Sequence, residues 1–233
     1  MPIDLASVVT VLLPGTGSDE DYVRRAFAAP LEQAGAVVVA VPPKPEQLVA
    51  GYLRALDEAA LGGPIAVGGV SIGAAVATCW ALANPGRTVA VLAVLPPWTG
   101  APGAAPAALS ARHTAARLRR EGLAATTAAM TSSSPPWLAE ELARSWLRQW
   151  PNLPDAMDQA AAYVGPTATE LGRLAAPMAV VGASDDPIHP VTVAREWASA
   201  VPHAALSIVT LDQFGPQPAV IGAAALAALQ AIN

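Results

Sequence analysis

Short runs of uninterrupted apolar residues recur along the chain, and most are followed by a segment with helical spacing. Strands that are buried on both faces of a parallel sheet form such runs, whereas strands with one wet face alternate in polarity. We therefore expect an α/β fold, with a doubly wound, mostly parallel sheet of about six strands. The predicted strands are Ser7–Leu13, Ala36–Val41, Ile65–Val70, Thr88–Leu95, Met178–Val181 and Ala205–Thr210.

The alternation of strand and helix is interrupted once. Between Pro96 and Pro177 the pattern contains helical stretches but no strand. An all-helical insertion of this kind predicts a cap over one end of the sheet, so we expect residues 97–176 to form a helical cap and residues 1–96 with 177–233 to form the core. The predicted helices are Asp19–Gly35, Glu46–Leu61, Ile72–Ala83, Ala104–Glu121, Ala139–Gln149, Val191–Ala200 and Pro218–Ala231.

The hydrophobic content, 53% of 233 residues, raises the question of a membrane span. Gly62–Pro85 carries no charge and is long enough to cross a bilayer, but its interior, Gly68–Gly73, favours a strand–turn–helix junction over a spanning helix. The first residues lack the basic region of a signal peptide. We expect a cytoplasmic protein without a membrane partner.

Charge and cysteine content exclude several classes of partner. A net charge of −5 leaves no basic surface for nucleic acid, and the single cysteine, Cys79, excludes a disulfide framework and a cysteine-rich zinc site. No histidines have metal-ligand spacing. We therefore expect neither a metal nor a cofactor.

The clearest chemical signal is the sequence Gly69-Val70-Ser71-Ile72-Gly73 at the junction of a predicted strand and helix. A G-x-S-x-G turn in this position exposes a nucleophilic serine in strained geometry, and side chains at either glycine would collide with neighbouring elements. The alternative without chemical function is a close-packed turn in a glycine-rich chain. The position of the motif between a strand and a helix favours Ser71 as a nucleophile.

A second candidate is the loop that follows the first predicted strand. An oxyanion hole requires the N–H of the residue after the nucleophile, Ile72, and an N–H from a neighbouring loop, for which Gly15-Thr16 is suited. A phosphate-binding loop is the alternative, but both of its usual glycine motifs are absent. We expect Thr16 and Ile72 to hold the oxyanion, and Gly15 to contact substrate.

A third candidate is the loop after the fifth predicted strand, where Asp185 and Asp186 precede His189. A carboxylate at the carboxyl end of a strand can orient a catalytic imidazole. Asp-Asp-Pro is equally common in turns and at helix starts, so these residues alone leave both interpretations open.

At these residues the chain resembles α/β-hydrolase-fold proteins, in particular small cofactorless members with a helical cap, found among actinobacterial hydrolases. The order Ser71 then Asp185 matches the nucleophile-then-acid order of that fold. The family's acid commonly stands three residues after a glycine that ends its strand, and this spacing from Gly182 implies Asp185 and not Asp186. The family's first antiparallel strands are missing from the pattern.

The histidine departs from the family pattern. It normally lies in the loop after the last strand, which here contains none. Of the three histidines, His203 is expected at the opposite end of the sheet and His113 on a polar face of a cap helix. His189 lies at the correct end, and is either the base or a packed loop residue.

Tryptophans are concentrated in or beside the insertion. Trp98 follows the fourth predicted strand at the same end of the sheet as Ser71, and we expect Trp98 and Trp137 to contact substrate, whereas Trp146 and Trp150 are expected to pack the cap. An apolar wall suits a small ester, lactone or peptide-like substrate.

The sequence thus supports a serine hydrolase of carboxylic esters or related acyl compounds, with Ser71, Asp185 and His189 in an atypical or incomplete triad. Two alternatives follow from the missing histidine: a non-hydrolytic enzyme of the same fold, such as an isomerase, epimerase or cyclase in natural-product tailoring, or a catalytically silent ligand-binding protein.

Overall fold

Six parallel strands form one sheet in the computed structural model, which describes residues 3–232. Their order across the sheet is β2-β1-β3-β4-β5-β6. The number and direction of the strands confirm the predicted fold class. Their bounds are β1 Val9–Leu13, β2 Val37–Ala40, β3 Ile65–Val70, β4 Thr88–Val94, β5 Met178–Ala183 and β6 Ala204–Val209.

Ten α-helices accompany the sheet in the described residues, and most lie within a few residues of the predicted bounds. They are α1 Glu20–Gln33, α2 Leu48–Ala59, α3 Ile72–Ala83, α4 Pro106–Ser133, α5 Pro136–Gln149, α6 Leu153–Ala162, α7 Ala168–Leu171, α8 Val191–Ala200, α9 Leu211–Phe214 and α10 Ala219–Gln230. None of those helices combines the length and the apolarity that crossing a membrane requires.

The sheet separates two apolar layers because successive residues of a strand point to opposite faces. Val91 and Ala93 of β4 belong to a core cluster with residues of α2, α3 and α8, whereas Leu92 and Val94 belong to a second cluster with α1 and α10. The centre of the sheet is therefore covered on both sides, which explains why its strands are continuously apolar.

The order of the strands reverses between β1 and β3. These two strands are hydrogen-bonded neighbours, with Leu13 opposite Gly69, although α1, β2 and α2 separate them in sequence. Ligands of open α/β sheets bind beyond the strand carboxyl ends at such a reversal. The loop after β1 and the turn after β3 therefore meet at the place where a site is expected.

Helices α4 to α7 all lie between β4 and β5, as the interrupted pattern predicts. The first predicted helix of this region ends at Glu121, next to a break in the structure: α4 runs to Ser133, but Gly122 inside it has non-helical backbone angles (φ 77°, ψ 174°). The segment after Gly122 was not predicted, and most of the predicted Thr131–Pro136 separator is helical. The predicted core limits at residues 1 and 233 lie outside the described residues. We call α4–α7 the inserted helices.

Two glycines in helices of equal length differ in the space around them. A Cβ at Gly222 of α10 would lie 2.2 Å from the Ala26 carbonyl oxygen and 2.9 Å from Phe27 Cα, because α10 packs closely on α1. A Cβ at Gly51 of α2 would meet only the Lys44 side chain, at 3.4 Å or more. Position 222 therefore requires glycine, because α10 approaches α1 closely there. Position 51 on α2 has room for a larger residue.

We expect Gly222→Ala to lower the free energy of unfolding by about 1–3 kcal/mol through overpacking. The matched substitution Gly51→Ala should leave it unchanged or raise it by up to about 1 kcal/mol, because alanine is the better helix former. Urea denaturation of both variants measures the difference. Equal effects of the two substitutions would contradict the packing of α10 on α1.

Candidate active site

Ser71 lies on a tight turn between β3 and α3, and its backbone is strained. Its φ of 55° and ψ of −119° are unusual for a residue with a side chain. Such a conformation costs about 1–3 kcal/mol and persists only where its surroundings enforce it. Here the Ser71 N–H donates to the Val94 carbonyl at 2.9 Å, and the Ala75 N–H donates to the Ser71 carbonyl at 3.2 Å.

Glycines on both sides of Ser71 permit the close approach of three backbone segments. A Cβ at Gly69 would lie 2.3 Å from the Leu13 carbonyl oxygen, and one at Gly73 would lie 2.2 Å from the same atom. Real side chains do not tolerate such distances, so the collision inferred from the sequence is present on both sides. The turn is a strained serine elbow, not a generic glycine-rich turn.

His189 reaches Ser71 from the loop between β5 and α8. Its Nε2 lies 2.9 Å from Ser71 Oγ, and its Nδ1 lies 2.8 Å from Asp186 Oδ2. The Ser71 residue is only 8% exposed, and the His189 and Asp186 side chains are 16% and 9% exposed. The three groups therefore form a hydrogen-bonded chain that is largely shielded from solvent.

The carboxylate that contacts the His189 ring belongs to Asp186. This corrects the expectation that Asp185 makes this contact. Asp186 Oδ1 accepts hydrogen bonds from the backbone N–H groups of Ile188 (2.8 Å) and His189 (3.2 Å), so the chain folds back over the carboxylate. Asp185 is exposed and its Oδ1 accepts from the Leu211 N–H at 2.9 Å, which ties this loop to the loop after β6. The family spacing selected the neighbouring aspartate because it does not register this turn.

The electrostatic environment keeps Asp186 ionised. Burial acts to raise its pKa, but the hydrogen bond and charge of His189 and the two backbone N–H groups outweigh burial and hold the pKa below its usual value. An ionised carboxylate only accepts hydrogen bonds, so Nδ1 of His189 must carry a proton. In the neutral ring Nε2 is then left to accept the Ser71 hydroxyl proton.

The other two histidines lie elsewhere. His113 is exposed on α4, and His203 is exposed immediately before β6, where its carbonyl accepts from the Met178 N–H at the start of β5. Both positions agree with the sequence argument. His189 is therefore the histidine that reaches Ser71.

The loop after β1 lies against the serine elbow. A Cβ on Gly15 would be 3.5 Å from Ser71 Cβ, and the Ser18 N–H donates to the Gly15 carbonyl at 3.0 Å, forming a turn around Thr16 and Gly17. Ile72 is the first residue of α3, where a backbone N–H has no acceptor in its own helix. Both segments expected to supply oxyanion donors therefore border Ser71.

The tryptophans expected to contact substrate have protein partners. Trp98 is buried in the core, donates from Nε1 to the Tyr163 carbonyl at 3.2 Å and packs on Gly165. Trp137 of α5 packs edge-on against Phe214, with ring centroids 5.6 Å apart, and covers Gly215. Trp98 thus packs as a core residue, and substrate contact by Gly15, Trp98 or Trp137 stays a prediction.

Sequence reasoning missed the geometric reason for Asp186, although a signal was present. Asp186-Pro187-Ile188-His189 matches an Asx turn, in which a carboxylate accepts backbone N–H groups two and three residues later. Such a turn brings the side chains of its first and fourth residues together. Across residues 3–232, no three His, Cys, Asp or Glu side chains are grouped so as to hold a metal ion.

The two adjacent aspartates offer a matched test of this geometry. We expect Asp186→Asn to lower kcat by about 10²–10⁴-fold, because an amide can donate to Nδ1 and favour the wrong imidazole tautomer. Asp185→Asn retains the acceptor for Leu211 and should leave kcat near that of wild type. Steady-state turnover of a nitrophenyl ester, with thermal unfolding as the control for folding, compares them. The reverse ranking would restore Asp185 as the acid.

Solved structures with the same fold include proteins with several described activities. A putative non-heme bromoperoxidase, BpoC, from Mycobacterium tuberculosis H37Rv superposes with a TM-score of 0.71 at 18% identity over 98% of this chain and 94% of its own. A thermophilic esterase from Thermogutta terrifontis gives 0.66 at 20% identity over 88% and 82%. An enol-lactonase from Burkholderia xenovorans LB400 gives 0.64 at 18% identity over 88% and 83%.

At these identities the structural likeness shows the fold alone. Comparison with curated protein sequences gave no significant match. A family model described as "Alpha/beta hydrolase family" matches residues 4–213, which include the serine elbow, the Asp186–His189 loop and all six strands. The chain belongs to the alpha/beta hydrolase family.

Proposed function

We propose that the protein is a serine hydrolase of carboxylic esters or related acyl compounds, with Ser71 as its nucleophile. The observation that carries the proposal is the hydrogen-bonded chain from Ser71 Oγ through His189 to Asp186, at 2.9 Å and 2.8 Å. A serine hydroxyl is a weak nucleophile unless an adjacent base removes its proton. The triad is atypical because its acid and base stand three residues apart in one loop.

The first half-reaction follows from these positions. Ser71 Oγ attacks the acyl carbon while its proton passes to His189 Nε2, and Asp186 stabilises the imidazolium that forms. The N–H groups of Thr16 and Ile72 then hold the oxyanion, aided by the positive end of α3. His189 returns the proton to the departing alcohol, and the acyl group remains as an ester on Ser71.

The second half-reaction releases the product. Water attacks the acyl-enzyme carbonyl as its proton passes to His189 Nε2, and collapse of the tetrahedral intermediate returns that proton to Ser71 Oγ. The products are a carboxylic acid and the free serine enzyme. No metal or redox cofactor enters this cycle.

We expect the substrate to be small and apolar. The loop that contributes Thr16 is overlaid by Trp146 and Met157, which lie against the position of Gly17. Structural relatives are described as an esterase and an enol-lactonase. These likenesses support a small ester or lactone over a charged metabolite.

The non-hydrolytic and ligand-binding alternatives rested on a serine without a base. The contact between His189 and Ser71 removes that argument, so hydrolysis is the function we favour. We also propose that residues 97–176 act as a cap and the remaining residues as the catalytic core. A cytoplasmic location without nucleic-acid or membrane partners stays a prediction from the sequence.

Covalent labelling tests the proposed nucleophile. We expect a fluorophosphonate probe to add one phosphonyl group to the wild-type protein and none to Ser71→Ala, measured by intact mass. Ser184→Ala is the control, because Ser184 is a loop serine whose hydroxyl contacts only the Val209 carbonyl. Labelling of Ser71→Ala to the wild-type extent, or no turnover of short and medium nitrophenyl esters by wild type, would overturn the proposal.

A further inference from the structure

The segment Pro14–Asp19, here called the oxyanion loop, is held from the core side near its start. The hydroxyl of Tyr52, a fully buried residue of α2, donates to the Pro14 carbonyl at 3.2 Å. Gly15 then passes beside Ser71. The first two residues of the loop are thus fixed by the sheet and α2, whereas Thr16 and the residues after it need other support.

Helix α5 of the inserted helices supplies that support through three successive contacts. Gly17, with a φ of +73°, lies under the Trp146 indole, whose Nε1 would be 2.7 Å from a Cβ at this position. The Ser18 carbonyl accepts from Gln149 Nε2 at 3.0 Å. Asp19 accepts two hydrogen bonds from Arg144, at 3.0 Å and 3.2 Å. Three residues of α5 therefore contact the second half of the oxyanion loop.

The ion pair with Asp19 differs from an ordinary surface ion pair. The Asp19 side chain is 2% exposed, and it also accepts the Tyr22 N–H as the N-cap of α1. Arg148 approaches the same carboxylate at 3.4 Å. A buried carboxylate that loses its partner is strongly destabilised where it stands, whereas an exposed pair contributes little. Without Arg144, Asp19 keeps the Tyr22 N–H and the longer contact to Arg148 but loses its two shortest contacts to a guanidinium, so we expect the loop to shift.

Arg144 also belongs to a wider charge network at this junction. Its guanidinium contacts Glu141 at 2.8 Å and Asp21 at 3.2 Å, and Arg25 pairs with both of these carboxylates. The network holds the Arg144 side chain over the start of α1. The planar Arg144 guanidinium donates to both Asp19 oxygens. This bidentate contact fixes the orientation of the carboxylate as well as its distance from the guanidinium.

We infer that Arg144 is a positioning residue for the oxyanion hole: by pairing with buried Asp19, it fixes the loop that presents the Thr16 N–H beside Ser71. The inference rests on the proposed function. It assigns to the inserted helices a role in transition-state stabilisation, in addition to covering the site. The negative charge on the substrate oxygen develops only during the reaction. Displacement of an oxyanion donor should therefore lower kcat and leave substrate binding almost unchanged.

Arg144→Met and Arg119→Met form a matched pair. Arg119 is also an arginine of the inserted helices with two carboxylate partners, Asp155 and Asp158, but all three side chains are about half exposed, and these ion pairs join α4 to α6 and do not involve the oxyanion loop. We expect Arg144→Met to lower kcat for a nitrophenyl ester by about 10- to 100-fold, with KM changed less than about threefold, the scale of a displaced catalytic donor. Arg119→Met should retain wild-type kcat.

A trifluoromethyl ketone, which forms a tetrahedral oxyanion on the serine, separates positioning from general destabilisation. Its inhibition constant should rise with Arg144→Met by the factor by which kcat/KM falls, and should not change with Arg119→Met. Asp19→Asn, which retains an N-cap side chain, provides a second variant in case Arg144→Met does not fold, with Asp155→Asn as its control. The Arg144→Met/Asp19→Asn double variant should lose no more activity than either single variant.

The outcomes distinguish this inference from the proposed function. Unchanged kcat and ketone affinity in Asp19→Asn, or equal losses in both arginine variants, would overturn the role of Arg144 while fluorophosphonate labelling of Ser71 in the same preparations stands. Failure of wild type to be labelled or to turn over esters would instead overturn the proposed function itself.

Discussion

The close approach of β1, β3 and α3 around one carbonyl oxygen is the contact on which the rest of the site depends. Cβ atoms at Gly69 and Gly73 would lie 2.3 Å and 2.2 Å from the Leu13 oxygen, so both positions require glycine. This packing forces the Ser71 backbone to a φ of 55° and directs its side chain away from the sheet. It also brings the loop after β1 beside Ser71, so that main-chain packing joins the proposed nucleophile and the proposed oxyanion donor.

The second feature of the site is that Asp186 and His189, the proposed acid and base, share one short loop. Asp186 binds the backbone of its own turn with one oxygen and the His189 ring with the other, so the turn that forms the loop also aligns the imidazole. The loop after β6 contains no histidine. It forms a short helix capped by Thr210 and Gln213, and Trp137 of α5 packs on its Phe214.

The sequence predicts the features that depend on local pattern. Continuous apolar runs predicted all six strands, and Gly69-Val70-Ser71-Ile72-Gly73 predicted the elbow, because both features appear as a pattern of residue types within a few consecutive positions. The spacing from Gly182 selected Asp185, whereas the aspartate in contact with His189 is Asp186, because that spacing cannot register a turn that starts one residue later. Arg144 escaped notice because 125 positions separate it from Asp19, and only the folded chain joins them. Gly122 interrupts the helical backbone of α4, as glycine commonly does at helix ends, but the helical segment that follows it to Ser133 was not predicted.

The central claim is that the base for Ser71 comes from the acid's own loop, and the chain's three histidines permit a direct measurement. The rate constant of Ser71 phosphonylation by a fluorophosphonate should fall by at least about 10²-fold in His189→Ala, because a serine without its base is a weak nucleophile. It should stay at the wild-type value in His113→Ala and His203→Ala, whose side chains are exposed and lie away from Ser71. A wild-type rate in His189→Ala would contradict the account.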